Sequence, residues 1–161
     1  MAATYTEENT RPLIAMTRQQ FTQVIFAGMI VGAIAWGLTW ALDAYVYQAI
    51  LCRGDSANCA SASNYSLITA SILAAASGLF ALVRLQVFRP LLVVLASTVS
   101  LWSLPLVAAA VMPWYFALVS CTLLFGLAYG AFAWLARVRS FILSLVAMIV
   151  VVAAVRFVLY S

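Results

Sequence analysis

The chain has 161 residues, of which 67% are apolar and 7% charged: eight arginines, no lysine, four carboxylates, no histidine and a net charge of +4. A soluble domain carries roughly 25% charged residues, so there is too little polar side chain here to wet a globule; a water-soluble domain and a disordered chain are both excluded. The arginines never cluster into a phosphate-tracking stripe, which argues against a nucleic-acid partner and leaves an all-α integral membrane protein whose first partner is the lipid bilayer.

Residues 1–20 carry Glu7, Glu8, Arg11 and Arg18 and read as a solvated N-terminal tail. Thr17 and Gln20 have the spacing of a helix capping box, so the apolar run beyond them is expected to be an uncleaved helix. A secretory signal would have a shorter apolar core and a small-residue cleavage site. From residue 21 to residue 161 the charges divide the chain into apolar segments. A hydrocarbon core of about 30 Å needs roughly 20 helical residues. Five spans are therefore expected, at about 22–46, 66–84, 91–111, 115–136 and 141–160. The uncharged run of 47 residues between Arg89 and Arg137 makes two of them, with its break at Met112-Pro113-Trp114. Continuous apolarity, without alternation over about ten residues, points to a bundle of helices and not to barrel strands.

The first span contains Gly28 and Gly32, a pair of small residues that lets two backbones approach closely. The same face continues through Ala35, Thr39 and Asp43. The loop expected at 48–65 is rich in Ser, Ala, Gly, Asp and Asn, a turn-forming composition. It holds Cys52 and Cys59, which are expected to close a small disulfide, worth about 2–3 kcal/mol on the chain-entropy estimate. A Cys-x-x-Cys redox motif is missing, so thiol–disulfide catalysis is not expected. Arg53-Gly54-Asp55 and the sequon Asn64-Tyr65-Ser66 lie in or beside this loop and support no function by themselves.

The second span has a ladder of Ala70, Ala74 and Gly78. The third has Ser97, Thr98, Ser100 and Ser103 before Pro105, expected to kink it. Such hydroxyls either line a polar path or bond back to their own helix, and no acid, base or histidine joins them. The fourth span carries Cys121, Gly126 and Gly130. Residues 28–36 and 126–134 share the pattern G-x-x-x-G-A-x-A-W and run in opposite directions. Inverted repeats can mark transporters, but five spans cannot be halved, and independent convergence on close packing explains the match. In the fifth span Arg156 lies near the C-terminal end. At the same expected depth as Asp43, it either forms an intramembrane ion pair with it or snorkels to the interface separately, as Asp43 would.

Arginine placement sets the orientation. With Arg11, Arg18, Arg84, Arg89, Arg137 and Arg139 on one side against Arg53 and Arg156 on the other, the N-terminus is expected in the cytoplasm and the C-terminus outside. Arginine to the exclusion of lysine fits a bacterial inner membrane. There is no histidine, no carboxylate pair on one helix face, no nucleophile elbow and no phosphate loop. Neither catalysis nor a cofactor is expected. Two function classes remain: an accessory, assembly or scaffold protein that works through helix contacts with a membrane partner or a second copy, and a small oligomeric channel or transporter.

Overall fold

The computed structural model describes residues 17–52, 61–138 and 141–160, and among these every regular element is a helix. Helix α1 (Arg18–Ala41) starts at Thr17, whose hydroxyl accepts from Gln20 N at 3.2 Å while Gln20 Oε1 accepts from Thr17 N at 3.2 Å. The capping box forms as its spacing predicts. At its far end α1 passes into a π-helical turn (Leu42–Tyr47) and a last helical turn (Gln48–Leu51). The whole rod, Arg18–Leu51, is 34 residues long, or about 51 Å at 1.5 Å per residue. That is longer than the hydrocarbon core of about 30 Å. Residues 48–51, expected in a coil, are helical because nothing in Gln-Ala-Ile-Leu breaks a helix.

Helix α2 spans Ala62–Arg84, α3 Pro90–Ser100, α4 Leu104–Val111, α5 Trp114–Ala136 and α6 Phe141–Tyr160. Four rods are long and apolar enough to cross a bilayer: Arg18–Leu51, Ala62–Arg84, Pro90–Val111 and Trp114–Ala136. Within α6 the apolar stretch Ile142–Phe157 is shorter. The third rod is divided and not merely kinked. Pro105 has no N–H and would clash with the carbonyl four residues back, at Leu101. The helix accordingly stops at Ser100 and restarts at Leu104, with Leu104 N bonded to Leu101 O at 3.1 Å.

Helix α5 is the centre of the bundle, packing on α1, α3, α4 and α6, while α2 lies against α1 and α3. The core is built on Tyr129 and Phe132 of α5, Val24 and Val31 of α1, Leu82 of α2 and Val93 of α3. Large apolar side chains such as Ile30, Phe80, Leu95, Leu127 and Ile149 point outward. This inside-out use of hydrophobic residues suits acyl chains and not water. The α2–α3 connection is tight: Gln86 and Arg89 both take left-handed backbone angles, with φ of 52° and 54°. Pro90 at the first turn of α3 keeps Arg89 out of the right-handed helical region.

Candidate functional site

The two glycine pairs singled out in the sequence pack against each other. Helices α1 and α5 run antiparallel, and each glycine makes the notch that receives the other helix. A Cβ built on Gly28 would lie 2.6 Å from Tyr129 Cβ and 2.9 Å from the Phe125 carbonyl oxygen. On Gly32 it would lie 2.6 Å from the Cys121 carbonyl oxygen and 2.8 Å from Phe125 Cβ. The reciprocal notches are softer: Gly126 faces Met29 Cγ at 2.6 Å, and Gly130 faces Ile25 Cγ1 at 3.0 Å. The shared nine-residue pattern is thus used twice in one crossing, once from each side. Tyr129 then reaches across to α2, where its hydroxyl fills the notch at Gly78 beside Val31. That hydroxyl is buried and has no hydrogen-bond partner. Composition could not single out Tyr129; its importance comes from the registry of three helices.

A second cluster forms at the end of α1. The π turn places Gln48 five residues from Asp43 on one face, and Gln48 Nε2 donates to Asp43 Oδ2 at 3.0 Å. One extra residue per turn also rotates the residues beyond it by about 100°, and Tyr47 meets α2. There its hydroxyl lies 2.7 Å from Thr69 Oγ1. Thr69 already donates to the Tyr65 carbonyl at 2.9 Å, so Tyr47 is the donor. The Tyr47 and Tyr65 rings stack with centroids 6.1 Å apart. On the neighbouring face Trp36 and Trp40 stack at 6.5 Å, and with Trp114 they border an open hollow of about 430 Å³. Trp36 Nε1 and Asp43 Oδ1 are both buried without hydrogen-bond partners.

The structure gives Asp43 and Arg156 different partners from those expected. Asp43 binds Gln48, whereas Arg156 Nε donates to the Val99 carbonyl at 3.1 Å. The reason is topological: α6 packs against α3 and α5, and the broken third rod offers it carbonyls that lack intrahelical donors at the end of α3. A guanidinium meets that need as readily as it meets a carboxylate. Cys52 caps the end of the first rod, and Cys59 lies outside the described residues. Cys121 is buried and free at the α1–α5 crossing.

Most of the remaining hydroxyls turn back on their own helices, whereas Ser120 donates to Met112 Sδ at 3.9 Å and Ser144 of α6 to the Leu135 carbonyl of α5 at 3.3 Å. Thr39 donates to Ala35 O, Ser97 to Val93 O, Thr98 to Val94 O, Ser100 to Ala96 O and Thr122 to Leu118 O, all at 2.7–2.8 Å. Among the described residues no three metal-ligating side chains converge.

At the opposite end of the bundle a cleft of about 390 Å³ separates the start of α1 from the end of α5, lined by Thr17, Arg18, Phe21, Thr22, Trp134 and Arg137. Nearby, Arg89 Nη1 reaches the Val138 carbonyl at 3.4 Å. The structure thus gathers Arg18, Arg89 and Arg137 at one end, as alternating rods require. Sequence reasoning missed this cleft, although a signal existed. If the shared patterns pack antiparallel, with Gly28 opposite Gly126, then stepping outward about ten residues on each helix brings Arg18 to Arg137.

Comparison with known proteins finds no family model, curated protein or solved structure that matches the chain.

Proposed function

We propose that this is a multi-pass membrane protein without catalysis of its own, an accessory, assembly or scaffold protein that works through helix contacts. In this reading α6 is a fifth span, the N-terminus is cytoplasmic, the C-terminus is outside, and Cys52 and Cys59 form a disulfide in the outer loop. The membrane is a bacterial inner membrane, on the arginine-only composition.

One observation carries the choice over a channel or transporter. Thr39, Ser97, Thr98, Ser100 and Thr122 all spend their donors on their own helices. A conducting path needs hydroxyls and carbonyls turned toward a common lumen, and an intramembrane relay needs ionisable groups in sequence. The space between α1, α2 and α5 is instead filled by Tyr129, 0% exposed, and Phe132 is buried in the same core. Meanwhile Gly37, near the middle of the first rod, has open space where a Cβ would stand, so this side of the rod is available for close approach by another helix.

The test is purification in mild detergent from cells carrying a photo-crosslinking residue at position 37. A defined partner or a second copy, both co-purifying and crosslinked, supports the reading. A lone monomer without crosslink, together with solute or ion flux in proteoliposomes, replaces it with the channel reading.

A further inference from the structure

The hollow near the far end of α1 is walled, among the described residues, by the indoles of Trp36, Trp40 and Trp114. The chain on both sides of each is described, 17–52 for the first two and 61–138 for the third. Trp36 and Trp40 are parallel to within 5°, and the Tyr45 and Trp40 rings meet edge to face with centroids 5.9 Å apart. Trp36 also packs against Ala108, Ala117 and Cys121, which holds it in place, whereas Trp40 and Trp114 are 53% and 67% exposed. Tryptophans that anchor a helix at a bilayer boundary turn their N–H groups toward water and headgroups. Trp36 does not. Its Nε1 is buried without an acceptor, so the surface it shows the hollow is ring carbon.

A carboxylate stands beside these rings. Trp36, Trp40 and Asp43 are spaced four and three residues apart, which puts them within about 60° of arc on one helix face. Asp43 lies about 4.5 Å along the axis from Trp40, and helical side chains lean toward the N-terminus, here toward that ring. Its charge is poorly balanced. Oδ2 accepts from the neutral amide of Gln48 at 3.0 Å, and Oδ1 is buried with no donor. A buried anionic oxygen without a partner is costly, and a cation held nearby lowers that cost.

Ring carbon beside one negative charge selects a particular kind of cation. Ring faces attract cations through their quadrupole, tryptophan most strongly. A primary ammonium or an alkali ion would also need oxygen ligands to replace its water; the rings supply none, and Asp43 Oδ1 is out of reach. A quaternary ammonium has no N–H to satisfy and carries its charge on methyl groups that pack on ring carbon. The volume of about 430 Å³ falls within the ~300–1,000 Å³ range of small-ligand sites.

We propose that the hollow of Trp36, Trp40 and Trp114 binds a quaternary ammonium group, with the rings making the contact and Asp43 supplying the field. Soluble choline-type cations and the phosphatidylcholine headgroup both carry this group. The site stands whether the chain is an accessory protein or a channel.

The experiment titrates the full chain, in nonionic detergent at constant ionic strength, with choline and with its neutral isostere 3,3-dimethylbutan-1-ol. Binding is read by saturation transfer from protein to the ligand methyl protons, with empty micelles subtracted. Choline should bind at least about fivefold more tightly than the alcohol. Trp40→Leu and Trp114→Leu should each weaken choline by about two- to fivefold, and Trp40→Phe by less. Asp43→Asn, which keeps an acceptor for Gln48, should weaken choline and not the alcohol, while Trp134→Leu at the opposite end of the bundle should change neither. Equal affinity for choline and the alcohol, or choline binding unchanged in both Trp40→Leu and Asp43→Asn, overturns the proposal. Should a variant fail to fold, the choline-to-alcohol ratio of the unmodified chain decides. Competition by phosphatidylcholine and not by phosphatidylglycerol assigns the site to a lipid headgroup, and choline binding indifferent to both lipids assigns it to a soluble cation. Equal competition by the two lipids puts acyl chains in the hollow and overturns the cation reading.

Discussion

The α1–α5 crossing makes a graded prediction from four glycines of one sequence pattern and a fifth outside it. Gly28→Ala places a methyl 2.6 Å from Tyr129 Cβ and 2.9 Å from the Phe125 carbonyl oxygen, and Gly32→Ala places one 2.6 Å from the Cys121 carbonyl oxygen. Carbon contacts relax at about 3.5–4.0 Å, so the helices must part by about 1 Å. The obstacle is backbone and Cβ, which cannot swing aside by changing rotamer. Overpacking of this kind costs about 1–3 kcal/mol. Separation also forfeits a quarter to a half of each dispersion contact along the seam, against a helix-propensity gain of about 1 kcal/mol for Gly to Ala. Gly37, with nothing within 4 Å of its Cβ position, should show that gain alone. That gain is common to every Gly→Ala change and cancels in the comparison, so Gly28→Ala and Gly32→Ala should fall about 1–3 kcal/mol below Gly37→Ala, and further by the dispersion lost along the seam. Gly126→Ala should fall between, since Met29 can move, and Gly130→Ala should lie nearest the control. The assay is reversible unfolding in mixed micelles by denaturing detergent, monitored by tryptophan fluorescence. If Gly28→Ala and Gly37→Ala agree within about 0.5 kcal/mol, the seam is not the close contact described and the reasoning fails.

Tyr129→Phe removes a buried hydroxyl without a partner, a group that costs about 1–3 kcal/mol, so it should be neutral or stabilising in the same unfolding assay. It should also rescue most of the loss in Gly78→Ala, because that methyl collides with the hydroxyl; a rescue below about 0.5 kcal/mol would rule out the notch. Asp43→Ala and Arg156→Ala should be additive in a double-mutant cycle, because Gln48 and the Val99 carbonyl are separate partners. A coupling above about 1 kcal/mol would reinstate the ion pair. Gln86→Gly should raise the midpoint by about 0.5–1 kcal/mol of stability, since a left-handed non-glycine residue costs about 1–2 kcal/mol and glycine returns part of that as chain entropy. A lower midpoint would count against the left-handed turn. Alkylation of the denatured, unreduced chain should add one label, at Cys121, whereas three labels would exclude the Cys52–Cys59 bridge.

Much of the architecture was legible because hydrocarbon imposes a simple rule. Twelve charges must sit near water, so the apolar gaps between them reveal the rods, and Thr17 with Gln20 reveals where the first begins. Rod ends were less legible where no strong breaker stands: the first rod runs on to Leu51 through residues that composition assigned to a loop. Pro105 marked the third rod correctly but understated the effect, a full break between Ser100 and Leu104. The Asp43–Arg156 expectation matched residues by depth and charge alone. Depth says nothing about azimuth around a bundle, and a broken helix supplies carbonyls that a charge count does not register.

By itself the sequence determined the class of solvent, the helical periodicity and the positions of the close-packing glycines, since each arises from local side-chain chemistry repeated along one axis. Only the tertiary structure decided that Gly28 and Gly32 meet the helix of Gly126 and Gly130, that Tyr129 ends at Gly78, and that Arg18 and Arg137 share a cleft. Those pairings depend on rotation and register between helices. In a chain whose every face is apolar, many rotations bury equal hydrophobic area, and it is the shape of the notches that selects among them.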